Sequence, residues 1–583
     1  MIKKIMESIR EYKKSSILSP VFVTLEVIME VVIPLLMARL IDQGLNRGNM
    51  RATWFYGIIM LAAAAVSLSF GALAGKFCAT ASTGLAKNLR HDLFAKVQDF
   101  SFKNIDDFST GSLVTRMTTD VTNVQMAYML LIRIAFRAPL MLIFSLIMSF
   151  SINARLAVDF LIAVPVLAVA LGLIIKFAHP LFRKVFKIYD RLNTVVQENL
   201  RGIRVVKSYV RKDHEIEKFK GISGDVYETY SSAEKLMALN SPVMQAVIYA
   251  CMLVIAWVGA KLIVAGSLTT GELTSLITYI MMILMSLMML SMIFVMLTIA
   301  QASGERIVEV LNTESDLTNA PQPIERVKDG SIVFDNVNFS YAGDPDKLSL
   351  KDINLAIKSG EQIGIIGETG SAKSSLVQLI PRLYDATTGT VYVGGVDVKD
   401  IDLTVLRDRV SMVLQKNVLF AGTIAENLRW GNPNASEAEL WRACEVACAD
   451  EFIKEMPDGL NTMIEQGGTN VSGGQKQRLC IARAVLAKPK ILILDDSTSA
   501  VDTKTDAKIR QGLKEVIPGT TTLIIAQRIS SIEGADRIVI MHHGTIDDVG
   551  TSDELLKRNT LYREVYDTQM QMKGGQTHVE TEA

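Results

Sequence analysis

The sequence predicts two domains of different class: an all-α membrane domain of six helices, followed by an α/β domain built on a phosphate-binding loop. Three observations carry this. Hydrophobic residues form 49% of the 583 residues, and their excess lies before about residue 302 in long apolar stretches. After about residue 330 the composition becomes ordinary for a globular domain, and strand-like runs alternate with helix-like ones. Gly367–Ser374 (GETGSAKS) follows a strand-like run and opens a helix, the setting of a loop that cradles phosphates.

The N-terminal MIKKIMESIREYKK is basic and amphipathic and reads as an interfacial helix on the cytoplasmic face. The apolar run after it, 17–38, is longer than a signal-peptide core and lacks a small-residue cleavage site. Six stretches can cross about 30 Å of hydrocarbon at about 1.5 Å per residue: 17–38, 55–75, 127–152, 156–178, 243–265 and 274–300. The links near 39–54, 152–156 and 266–273 are short; those near 76–126 and 179–242 are long, polar and helix-permissive.

Most Lys and Arg lie on the long links, including Lys87, Arg90, Lys184, Arg201 and Lys207, which places those links and both termini in the cytoplasm of a plasma-membrane protein. Arg47 and Arg51 on a short outer link run against the trend. The long links read as membrane helices continued into the cytoplasm, ending in short cross-pieces near 101–108 and 211–219 that could transmit motion.

With 61 basic and 61 acidic residues, nothing in the charge balance points to nucleic acid. The five cysteines form no CxxC pair and no metal-ligand spacing with His, and read as buried reduced thiols.

Charges inside the spans are costly. Glu26 and Glu30 share a face of the first helix, Arg133 and Arg137 a face of the third, and Asp159 lies early in the fourth. These charges either pair with one another or lie where the helices leave the bilayer. The alternative is that Glu26 and Glu30 face a wet cavity and attract cationic cargo. In the sixth span Met281, Met285, Met288 and Met292 fall on one stripe. Flexible thioethers there could line a cavity for apolar cargo or simply pack against neighbouring helices.

Residues 312–330, polar with two prolines, make a linker; the domains are thus 1–311, 331–571 and a polar tail, 572–583. In the loop, Gly367, Glu368, Thr369, Gly370, Ser371, Ala372, Lys373, Ser374 and Ser375 would cradle the phosphates of a nucleoside triphosphate with backbone N–H groups and a helix N-terminus. Lys373 would reach the β and γ phosphates, and Ser374 would ligate Mg²⁺. Ala372 stands where glycine usually permits close approach or a positive φ.

VSGGQKQRLCIARA (471–484), followed about fifteen residues later by ILILDD, resembles the signature of the ATP-binding-cassette (ABC) family. The remaining motifs occur in order. Tyr341 resembles the aromatic residue that stacks on adenine, and Gln415 the glutamine that senses γ-phosphate and Mg²⁺. Asp495 resembles the Mg²⁺-associated aspartate. IEQGG (464–468) resembles the segment that contacts the membrane levers, and Asp502 in SAVD belongs to the loop by which two cassettes touch.

The whole chain is similar to a half-transporter of the bacterial multidrug exporter class, with type IV exporter architecture. That resemblance implies two cassettes head to tail with ATP between them. Ser472, Gly473, Gly474 and Gln475 of one chain would then complete the partner's site.

Two residues depart from the family pattern. Asp496 stands where a hydrolysing site normally has Glu, and Gln527 where it normally has His. The resemblance is therefore to the degenerate-site subunit of a heterodimer, whose second, non-identical chain carries the consensus site. It implies ATP-driven export of amphipathic drugs or lipids across the bilayer, with this chain's own site binding ATP but hydrolysing it slowly. A lipid flippase, a peptide exporter, and a nucleotide-sensing regulator or gated pore are the alternative readings.

Overall fold

The computed structural model describes the backbone of residues 1–577, with some side chains in 159–186, most in 291–299 and all beyond 569 left undescribed, among them Asp159 and Met292. Six helical segments are long and apolar enough to cross a membrane: Arg10–Leu45, Met50–Gln98, Thr110–Ile152, Val164–Arg201, Lys212–Val264 and Thr270–Leu290. Each overlaps one of the expected spans. By its internal packing the chain divides into two units, Met1–Gln98 with Ser109–Thr313, and Asp99–Phe108 with the chain from Glu314 onward.

The main helices up to Asn312 are α1 (Lys13–Arg39), α2 (Met50–Gln98), α3 (Phe102–Asp107), α4 (Val121–Ile152), α5 (Ala154–Arg201), α6 (Ile203–Ser208), α7 (Lys212–Ala238), α8 (Asn240–Val264) and α9 (Thr270–Asn312), of which α3 belongs to the second unit and the others to the first. Side chains mark the tight links. Asn153 caps α5 by accepting from Arg155 and Leu156 N–H at 3.1 and 3.2 Å, and Thr269 with Glu272 forms a capping box for α9. Two buried hydroxyls within the helices find backbone partners, as a bilayer favours. The buried Tyr279 hydroxyl donates to the Val31 carbonyl at 2.7 Å, and Ser275 donates to that of Pro34 at 2.5 Å.

The long links are helical, as their composition suggested, but the second cross-piece lies at Ile203–Ser208 rather than at 211–219. Gly202 ends α5 at φ −90°, ψ 11°, and Val210, at φ 54°, redirects the chain into α7. Ile203, Val205, Tyr209 and Val210 around it are exposed.

The second unit contains two main sheets. Strands β1 (Ile332–Phe339), β2 (Leu350–Ile357), β4 (Thr388–Val393) and β5 (Val396–Asp397) form an antiparallel sheet in the order β2-β1-β4-β5. The other sheet is made of β3 (Gln362–Gly367), β6 (Val410–Val413), β7 (Ile491–Asp495), β8 (Thr521–Ile525), β9 (Arg537–His542) and β10 (Thr545–Gly550), in the order β10-β9-β3-β8-β7-β6. Its strands run parallel except for the antiparallel edge pair β9–β10. Strands β7 and β8 are buried at every position, which their continuous apolar runs require.

The first cross-piece, α3, belongs to this unit. Its Asp106 accepts from the Tyr384 hydroxyl at 2.7 Å, and Phe102 packs near the Tyr384 ring.

Candidate nucleotide-binding site

The parallel sheet sets the site. Register aligns Ile365, Ile525 and Asp495 across β3, β8 and β7, so the segments leaving these strands emerge together at their carboxyl ends, where open α/β sheets bind ligands. There a cavity of about 560 Å³ is lined by Tyr341, Thr369, Gly370, Ala372, Lys373, Ser374, Ser375, Gln415, Asp495, Asp496 and Gln527. Leu348, Ser349, His543 and Gly544 also line it, and the sequence reading had not named them. His543 and Gly544 form the β9–β10 turn, whose His-His-Gly was the only available signal.

The loop after β3 turns tightly. Gly367 abuts the Met541 carbonyl, where a Cβ would lie 2.2 Å away, and Gly370 has φ +88°. Ala372 adopts φ 68°, ψ 26°, the left-handed conformation that glycine takes without steric cost, and its methyl packs against the β-sheet core. The Lys373 ammonium donates to the carbonyls of Gly367 and Glu368 at 2.8 and 2.7 Å. Burial holds its pKa below the usual lysine value, while Asp495 and Asp496 pull it back up.

Ser374 Oγ donates to Asp495 Oδ1 at 3.1 Å. With Gln415 these make an oxygen-donor set of the kind Mg²⁺ prefers. At the lip, Tyr341 OH meets Ser375 Oγ at 2.9 Å and donates to Gln378 Oε1 at 3.1 Å, leaving the ring 42% exposed beside the cavity. Tyr384 lies edge-on to that ring, centroids 5.1 Å apart.

Asp496 has φ 48° and Gln527 donates from Nε2 to its Oδ2 at 2.9 Å. Burial raises the Asp496 pKa, opposed first by hydrogen bonds from Gln415 and Gln527. Burial likewise raises the Asp495 pKa, opposed by the Ser374 hydrogen bond and reinforced by the neighbouring charge of Asp496.

Ser472 caps the helix Gly473–Leu486: Gln475 N–H donates to Ser472 Oγ at 3.2 Å, and Ser472 N–H to Gln475 Oε1 at 2.9 Å. Ser472 and Gly473 are exposed, and Gly474 is half-buried. None of these lines the cavity with Lys373. Asp502 caps the helix Thr503–Val516 through the N–H groups of Lys504 and Thr505. The loop before Asp502 is braced on both sides, by Gln477, which donates to Ser499 Oγ and accepts from Ala500 N–H, and by Arg528, which donates to the carbonyls of Ser499 and Val501.

A larger groove of about 690 Å³ lies elsewhere on the second unit. Phe420 and Trp430 stack within it at 4.3 Å, 46% and 64% exposed, with Arg407, Lys416 and Arg483 around them.

In the membrane unit, Arg137 forks both carboxylates, contacting Glu26 through Nη1 and Glu30 through Nη2 at 2.7 and 2.8 Å. The pairing reading therefore describes these charges, with Glu26 buried. Glu30 and Arg137 also border a cavity of about 450 Å³ with Met37, Met60, Met141, Met282, Met285 and Met289. Of the anticipated stripe only Met285 lines it. Met281 and Met288 do not, although they stand at helical spacing from Met285, and Met292 lies outside the described side chains.

Comparisons with known proteins fit this geometry. Residues 16–288 match the family described as ABC transporter transmembrane region, and residues 350–499 match ABC transporter. The chain is 36% identical over 576 residues to the ABC transporter ATP-binding protein YfiB of Bacillus subtilis, covering 99% of this chain and 100% of that one. It is 34% identical over 487 residues to the probable multidrug resistance ABC transporter ATP-binding/permease protein YheI of the same organism, covering 83% of each. The solved structure of a bacterial Atm1-family ABC exporter with ATP bound superposes with TM-score 0.83 over 96% of this chain and 99% of that one, at 23% identity, a likeness of fold.

Proposed function

The chain belongs to the ABC transporter family, as a multi-pass half-transporter of exporter fold, and from that premise we propose that it is the degenerate-site subunit of a heterodimeric exporter of amphipathic compounds. The observation that carries the reading is the Asp496–Gln527 pair. A general base or water-orienting group must reach within about 3 Å of the attacking oxygen. Asp496 is one methylene shorter than glutamate, and its carboxylate already accepts from the Gln527 amide. Gln527 can donate to a γ-phosphate but lacks an imidazole's charge and proton-shuttling capacity.

The residues present suit ATP and Mg²⁺. The loop 367–375 offers N–H groups and the Lys373 ammonium to phosphates, Ser374, Asp495 and Gln415 offer oxygens to Mg²⁺, and Tyr341 offers a ring face to adenine. Bound Mg²⁺ would neutralise phosphate charge. In this reading the exposed Ser472–Gln475 helix start serves the companion chain's nucleotide, and Asp502 lies on the inter-cassette loop. The exposed Phe420–Trp430 groove would take the apolar cross-piece around α6 of the companion, tying each cassette to the other chain's levers.

The methionine-lined cavity suits apolar or amphipathic cargo, a reading in keeping with the printed description of YheI. Of the Glu26–Arg137–Glu30 cluster, Glu30 and Arg137 stand at its border as an ion pair. In this reading both termini and the cassette lie in the cytoplasm, the side that the basic long links favour.

The test is nucleotide retention. The two-chain complex is incubated with a photoreactive ATP labelled on the γ-phosphate, and the label on each chain is counted. Retention of the γ label by this chain and its loss from the companion is the expected result. Equal loss from both would reject the assignment.

A further inference from the structure

We propose a second metal site, for a borderline transition-metal ion such as Zn²⁺, formed by Glu368, His542 and His543 beside the phosphate loop. One ligand atom from each of the three residues lies within 4.8 Å of the others. Strand register brings them together. Gly367 of β3 pairs with Met541 of β9, so the next residues, Glu368 and His542, leave adjacent strands side by side. His543 follows in a two-residue turn, at φ 45° with Gly544 at φ 83°, closed by the His542–Thr545 pair. Two successive positive φ values define the hairpin turn that favours Asn-Gly.

A separate observation points to a ligand. Nδ1 of His542 is shielded from solvent and has no hydrogen-bond partner among the described residues. Such an atom costs free energy unless something takes its lone pair or proton. Two imidazoles and one carboxylate select Zn²⁺, Co²⁺, Ni²⁺ or Cu²⁺ over Mg²⁺, which prefers an all-oxygen shell.

Tetrahedral zinc with bonds of about 2.0–2.2 Å needs its donors about 3.3–3.5 Å apart. Closing from 4.8 Å needs about 1.5 Å of movement, within reach of rotations by exposed Glu368 and His543. Three protein ligands leave one coordination position open. The ion would staple the phosphate loop to the β9–β10 turn. Because Lys373 donates to the Glu368 carbonyl and His543 lines the nucleotide cavity, metal and nucleotide affinities would be linked reciprocally.

The test uses full-length, tag-free chain in detergent, without nucleotide, titrated with Co²⁺ and then Zn²⁺. A visible ligand-field band saturating at about one ion per chain and displaced by Zn²⁺ is expected. His543→Asn, which keeps a residue suited to the turn, and Glu368→Gln should each weaken binding about tenfold or more. His214→Gln, at an exposed histidine outside the cluster, should leave it unchanged. Melting without metal checks that each variant folds, and if His543→Asn does not, Glu368→Gln decides. Absence of the band, or equal affinity in wild type and the folded cluster variants, would overturn the site.

Discussion

Gln527 donates its side-chain amide to Asp496 at 2.9 Å, so the two groups to which we assign the water-facing positions are bonded to each other. Neither is poised for chemistry on its own. Replacing both with the residues of a consensus site, Asp496→Glu with Gln527→His, should restore reach and a titratable ring. We predict that ATP turnover of the purified chain rises about tenfold or more, equivalent to about 1.4 kcal/mol of barrier. Asp496→Glu alone should give a smaller gain. Phosphate release at saturating ATP checks it, and a double variant no faster than wild type would count against the role given to these positions.

Proton binding should oppose cation binding at this site. Burial chiefly raises the pKa of Asp495 and of Asp496, and the adjacent charge of Asp496 raises Asp495 further. Both therefore take up protons above the ordinary aspartate value of about 3.9. The sign follows from linkage. Without nucleotide, these groups cost folding stability when ionised at neutral pH, and that cost is relieved as pH falls through their raised pKa values. Mg²⁺ needs the ionised form, so Mg²⁺-dependent ATP affinity should weaken over the same range. Equilibrium binding measured from neutral pH downward toward the ordinary aspartate value checks this. A flat profile, or tighter binding at acid pH, would contradict it.

Ala372 should be nearly silent. Its left-handed backbone costs an alanine about 1–2 kcal/mol, but glycine would add about 0.5–1 kcal/mol of unfolded-state entropy. Its methyl packs on the sheet core, which argues against a blocked phosphate cradle. Ala372→Gly is therefore expected to change ATP affinity by less than about threefold, with a stability change of about 1 kcal/mol or less. A large gain in affinity, measured by fluorescent nucleotide titration, would show that the methyl does obstruct phosphate.

The Glu26–Arg137–Glu30 cluster should be far less tolerant. Removing the guanidinium leaves two carboxylates unpaired within the membrane helices, and breaking a buried ion pair costs about 3–5 kcal/mol. Arg137→Met should sharply lower the yield and melting temperature of the solubilised chain. The triple replacement with Glu26→Gln and Glu30→Gln should recover much of the loss. Failure of that rescue would mean that Arg137 acts through something other than charge pairing.

The positions of the phosphate loop, Asp495 and the six apolar helices were legible because each rests on a fixed spacing: a loop between strand and helix, or a run matched to bilayer thickness. Other features depend on geometry that spacing does not encode. The last membrane helix is apolar around most of its circumference, so the sequence offers no phase by which to choose Met282, Met285 and Met289 over Met281 and Met288. The second cross-piece lies elsewhere than expected because its bounds depend on local turns at Gly202 and Val210, between two long helices. Direct neighbours such as Tyr384 and Asp106, 278 positions apart, become visible only once the chain is folded.

The central claim is that this chain's pocket holds ATP while the companion's pocket cleaves it. The most direct measurement is phosphate release by the reconstituted two-chain complex after the companion's catalytic glutamate is changed to glutamine. The account predicts a fall of about a hundredfold or more, equivalent to about 2.7 kcal/mol of lost transition-state stabilisation. Release within about twofold of the unaltered complex would contradict it, because hydrolysis would then be proceeding at Asp496.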